Sequence, residues 1–87
     1  MNRSTAVTRA HPFRRVSGDE GSPMLLQVSA GVPAHAALSL AECLLSHLRA
    51  RCSDAVGGEP IAGDEAYACE LLLETALALY ASAGAHA

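Results

Sequence analysis

Residues 64–84 read DEAYACELLLETALALYASAG, and this stretch decides the fold. At about 100° per residue, Ala66, Cys69, Leu72, Leu73, Ala76, Leu77, Leu79, Tyr80 and Ala83 cover one wide apolar arc, while Glu70 and Glu74 mark its polar side. Asp64, directly after Gly63, stands as an N-cap, and Glu65 in the first turn complements the helix dipole. Gly84 is a natural C-terminal stop. The arc is wider than one antiparallel neighbour can cover, so in a lone hairpin Leu79 and the flanking Leu71 stay partly wet.

Working outward, a second amphipathic pattern precedes this one. Pro33 fits the first turn of a helix, where its missing N–H costs nothing. From there Ala34, Ala37, Leu38, Leu40, Ala41, Leu44, Leu45, Leu48 and Cys52 fall within an arc of about 160°. His35, Ser39, Glu42, Ser46, Arg49 and Ser53 form the opposite stripe. The helix is expected to end near Ser53, ahead of Gly57-Gly58-Glu59-Pro60. The prediction is an all-α or mainly α chain: an antiparallel two-helix hairpin over residues 24–84, with residues 85–87 as a tail. Two-helix chains rarely bury enough apolar area to offset the entropy of ordering them. A homodimeric four-helix bundle is the simplest remedy.

Met24-Leu25-Leu26-Gln27-Val28, bounded by Ser22-Pro23 and Ser29-Ala30-Gly31, reads as a five-residue extended segment or strand. No second strand-like run is visible, so its expected partner is its copy in another subunit. Residues 1–23 read as a disordered Arg-bearing arm. Their Arg and Ser/Thr content, poor in acids up to Gly18, also has the composition of an organellar transit peptide, and Met24 offers an alternative start. They contain no apolar core of a secretory signal.

Composition supports a small helical domain. Alanine (18) and leucine (12) make up 30 of 87 residues, with one Phe, two Tyr and no Trp. Residues 1–20 carry four Arg and two acids (+2), and residues 21–87 carry two Arg and seven acids (−5), which sum to the net charge of −3. An acidic helical part lacks the clustered cations of a nucleic-acid groove, and about ten Gly/Pro-bearing residues between the helices are not the tight turn of a helix-turn-helix. The most hydrophobic window, residues 66–85, holds Glu70 and Glu74, so no membrane span is expected. Cys43, Cys52 and Cys69 are an odd number without a close pair. Nine helical residues separate Cys43 from Cys52 by roughly 13 Å, too far for a disulfide. A reducing, cytoplasmic setting follows.

The stretch Leu26-Gln27-Val28-Ser29-Ala30-Gly31-Val32-Pro33, followed by His35, Ala37-Leu38, Ala41 and Leu44-Leu45, resembles the first half of a short proteobacterial domain of unknown function (series 3077). Leu72-Leu73-Glu74-Thr75-Ala76-Leu77-Ala78-Leu79 is similar to that family's second helix, with Thr75 in a Met place. The resemblance spans residues 25–80. It departs at Ala30, where the family often has Pro, and at the small or polar residues where an aromatic often opens the second helix. It implies a small helical protein and brings no activity, so no functional residues carry over.

Chemistry-bearing patterns are few. Cys43 and His47 lie four apart on one helix, a metal-ligand spacing, but zinc requires further ligands and none stands at a diagnostic spacing. A semi-buried thiol beside a boundary imidazole is the plainer reading. Cys52 and Cys69 fall on expected core faces as small hydrophobes. Glu70 and Glu74 form a carboxylate pair only on a solvated face. Arg14-Arg15-Val16-Ser17 matches a basophilic kinase site, in an arm where such matches arise by chance; the alternative reading is that the Arg cluster binds an acidic partner, such as this protein's own acidic helices, and folds on contact. No enzyme activity and no cofactor is indicated. The expected function is a protein–protein interaction module, a regulatory adaptor or anti-activator, with Leu40, Leu44, Leu48, Leu72, Leu73, Leu77 and Tyr80 forming its interfaces. The partners are a second copy and a regulatory protein, without nucleic acid or membrane. The alternative is a metal- or redox-sensing module using Cys43 and His47.

Overall fold

The computed structural model describes residues 6–15 and 17–84. The chain runs β1 (His11–Arg15), β2 (Met24–Val28), α1 (Ala34–Val56) and α2 (Gly63–Ser82). It is mainly helical, and the two strands form one antiparallel sheet.

The first strand is a correction. Residues 11–15, expected in a disordered arm, form β1, and the expected intersubunit strand partner of β2 is replaced on one edge by β1 from the same chain. His11 pairs with Val28, Pro12 with Gln27, Arg14 with Leu26 and Arg15 with Met24. The register skips Phe13 on β1 and Leu25 on β2, giving two bulges. Pro12 has no N–H to contribute, which confines such a strand to irregular or edge pairing. Residues 1–5 of the expected arm and the tail at 85–87 lie outside the described residues.

Upstream of β1 the chain continues as a staple. The Thr8 amide donates to the Val32 carbonyl (2.7 Å), and the Gly31 amide donates to the Thr8 carbonyl (3.0 Å). The buried Thr8 hydroxyl donates to the Ser29 carbonyl (2.6 Å) and accepts from the Val32 amide (3.1 Å). Gly31 turns the chain here at φ 84°, a left-handed conformation that favours glycine. The Ala34 amide, an orphan donor at the start of α1, donates to the Ala6 carbonyl (2.9 Å). At the far end of α2, the Arg9 amide donates to the Ser82 carbonyl (2.8 Å).

Helix α1 runs three residues beyond Ser53, because Gly57 and Gly58 stop it rather than the last apolar residue. The Gly57 amide still donates to the Ser53 carbonyl (3.1 Å), and Gly58 leaves at φ 113°. Helix α2 begins one residue before Asp64: its N-cap is Ala62, without a side-chain cap. Asp64 instead lies in the first turn, where its Oδ1 accepts from the Glu65 amide (2.9 Å).

The core is small and rich in alanine. Ala37 and Ala41 of α1 meet Ala76 and Leu79 of α2, flanked by Val28, Leu44, Leu45, Tyr80 and Ala83. Ala41 and Ala76 are fully enclosed. Small side chains at this crossing permit close helix approach. Leu79, expected to stay partly wet, is only 7% exposed, while Leu77, expected in the apolar arc facing α1, is 59% exposed. Residues 76, 79, 80 and 83 form the row that meets α1, and Leu77 projects from a different side of the helix.

Arg51 fastens the helix–helix turn. Its Nε and Nη2 donate to both Glu65 carboxylate oxygens (2.6 and 2.9 Å), while Nη1 and Nη2 reach the Glu59 and Pro60 carbonyls (3.3 and 3.2 Å). This two-pronged fork is available to Arg and not to Lys. The hydrogen bonds from Arg51 hold the Glu65 carboxyl below its ordinary pKa. A depressed carboxyl pKa adds stability above the unfolded value of about 4.3 and loses it as pH falls through the lower folded value.

α2 packs against α1 and against the hairpin, and it lies between them. The radius of gyration is 15.2 Å, against about 12 Å for a compact chain of this length. Substituting Leu79→Ala is predicted to cost about 2–5 kcal/mol in chemical denaturation. A loss below about 0.5 kcal/mol, typical of surface sites, would show that Leu79 is not core.

Candidate functional site

The seven residues expected at interfaces separate into two groups. Leu44, Leu48, Leu72 and Tyr80 are buried or half-buried within the chain's own fold. Leu44 and Tyr80 pack directly on the small core, so these residues hold α1 to α2 inside one copy. Leu40 (50%), Leu73 (43%) and Leu77 (59%) are exposed. The fold therefore leaves three of the seven outside its core.

Helical spacing explains which ones. α2 carries three faces. Ala76, Leu79, Tyr80 and Ala83 meet α1. A second row, with Tyr67 and Glu74 bonded to β1 and Ser82 bonded through its carbonyl to Arg9, serves the hairpin side. Ala66, Glu70, Leu73, Leu77 and Ala81 are all exposed and follow one another at spacings of three or four, which makes one open stripe. From Leu71 to Ala81 the only polar residues of the helix are Glu74 and Thr75. This strongly apolar stretch is covered on two sides, while Leu73 and Leu77 stay open on the third.

The hairpin contributes a polar joint, in which Arg14 of the Arg14-Arg15 cluster docks on the chain's own acidic helix α2, while the strand that carries it was not expected. Arg14 donates from Nη1 to Glu74 Oε1 (2.7 Å) and from Nη2 to the Tyr67 hydroxyl (2.6 Å). Its guanidinium carbon also stands 5.2 Å from the Tyr67 ring centroid. Together the Tyr67 and Glu74 acceptors raise the Arg14 pKa, Tyr67 contributing most. Arg15 donates to the Glu20 and Ser22 carbonyls (2.7 and 2.9 Å) and shapes the turn between the strands. An open groove of about 690 Å³ lies beside this joint, lined by Phe13, Arg14, Arg15, Leu25, Tyr67 and Glu74 among others. The signal available in the sequence was the turn-rich run Ser17-Gly18-Asp19-Glu20-Gly21-Ser22-Pro23 between two five-residue segments.

The remaining candidates are dispersed. Cys43 and His47 are both exposed on α1, and among the described residues no group of three His, Cys, Asp or Glu is placed to hold a metal ion. Cys52, expected on a core face, is exposed, Cys69 is half-buried, and all three thiols are free. Ser17 is exposed in the turn, where its hydroxyl accepts from the Asp19 amide (3.3 Å), while Val16 of the kinase-like motif lies outside the described residues. Among the described residues no helix is long and apolar enough to cross a membrane. No family model matches this chain, and no curated protein or solved structure matches it.

Arg14→Ala is predicted to speed amide hydrogen exchange in β1 and β2 while leaving the slowest amides of α1 and α2 unchanged. Unaltered strand exchange would mean that the Arg14 joint does not hold the hairpin to α2.

Proposed function

We propose that this chain is a protein–protein interaction module that works as a homodimer. In this reading two copies pool their four helices into one bundle through the open stripe of α2, with Leu73 and Leu77 at the seam. Leu40, on α1, belongs to the surface that engages a regulatory protein. The observation that carries the reading is the coverage of α2: an apolar helix with α1 on one side, the hairpin on another and Leu73 and Leu77 open to solvent on the third.

The concrete form is a cytoplasmic regulatory adaptor, such as an anti-activator that covers the dimerisation face of a transcription factor by helix-in-groove packing. Anchors spaced at three and four residues along a helix suit that mode of recognition. The acidic balance of residues 21–87, seven acids against two Arg, supports a protein partner over a polyanion. No catalytic residue, cofactor or membrane contact takes part.

Light scattering on the full chain is predicted to give the mass of two copies, and Leu77→Glu to give the mass of one while retaining the helical circular dichroism. A folded Leu77→Glu protein of unchanged mass would contradict the bundle seam.

A further inference from the structure

β2 has two hydrogen-bonding edges, and the chain fills one of them. Among the described residues it pairs only with β1, in a sheet of two strands. No strand among the described residues lies beside its outer edge, whose backbone N–H and C=O groups are a template for another strand. A two-stranded sheet is also marginal by itself.

Edges that must stay single are blunted by charge, by Pro or by bulges. Here no Asp, Glu, Lys or Arg occurs from residue 21 to residue 41, the longest such stretch in the chain. Pro23 stands ahead of the strand, Leu25 is 63% exposed, and the bulge at Leu25 is the one blunting feature within β2. Met24, Leu26, Val7 and Val32 are exposed along the same ribbon, so half of the ten large apolar residues that stand exposed among the described ones lie there. The two helices, though longer, share the other half.

We propose that a second copy of this chain occupies the edge. β2 pairs antiparallel with β2 of the copy about a two-fold axis near Leu26, and the two sheets become one of four strands, with the β1 strands outermost. The inference rests on the homodimer reading above and adds a second seam to it. Antiparallel self-pairing sets Leu26 opposite Leu26, Met24 opposite Val28 and Leu25 opposite Gln27, so every facing pair is uncharged. Residues 21–41 carry no Asp, Glu, Lys or Arg, so no like-charge repulsion between their own side chains opposes a second copy there.

The test is the solution mass of the full chain as wild type, Leu25→Lys and Leu25→Thr at matched concentrations, with circular dichroism as the check on folding. Leu25→Lys sets a charge on an exposed position of the edge, and Leu25→Thr keeps a strand-forming residue there without one. The expected result is a dimer for wild type and Leu25→Thr and a folded monomer for Leu25→Lys. Gln27→Lys, exposed on the same strand, is read the same way if Leu25→Lys does not fold. A dimeric, folded Lys variant overturns the β2 seam and leaves the homodimer reading standing, whereas a monomeric wild type overturns both.

Discussion

The fold depends on a backbone staple formed by residues 6–9. Two helices with an alanine-lined contact have little apolar area to hold them, and neither helix has a side-chain N-cap. The staple supplies what the side chains do not. Ala6 accepts the first orphan amide of α1, Arg9 donates to the Ser82 carbonyl at the end of α2, and Thr8 uses its amide, carbonyl and hydroxyl to close the ribbon between them. One four-residue segment thereby fixes the start of one helix, the end of the other and the register of the hairpin. Arg51 does the corresponding work at the opposite end, where its guanidinium joins α1 to the turn and to Glu65.

This arrangement explains where the leucines go. A contact built on Ala37, Ala41 and Ala76 leaves room for few large side chains, and Leu48 and Leu79 are the only leucines buried among the described residues. The others lie at the margins or outside. The molecule is therefore thin, 16 Å across its shortest axis, and carries apolar side chains on α1, α2 and the hairpin together.

Much of this architecture was legible in the sequence. Both helices, β2 and the Gly-Gly stop followed from periodicity and from breakers, because those signals are local. The rotation of α2 was not legible: Glu70 and Glu74 mark a polar side, but Glu74 is taken up by Arg14 of β1 while Leu77 is left exposed, and that long-range partner is not a local signal. β1 was missed for a related reason. His11-Pro12-Phe13-Arg14-Arg15 has no apolar alternation, and it is ordered by long-range partners, Glu74 and Tyr67 for Arg14 and the backbone of β2 for the strand. Of the seven residues expected at interfaces, the sequence does not divide inside from outside: Leu44, Leu48 and Tyr80 belong to the chain's own packing, Leu72 is half-buried, and Leu40, Leu73 and Leu77 are exposed.

Residues 6–9 are a structural part of the domain. Residue-resolved amide hydrogen exchange on the full chain tests it most directly. The amides of Thr8, Arg9, Gly31 and Ala34 are predicted to exchange as slowly as the interior amides of α1 and α2, because opening any of them requires the hairpin and a helix end to part. Exchange of these four amides at the rate of an unstructured peptide, with α1 and α2 still protected, would contradict the account.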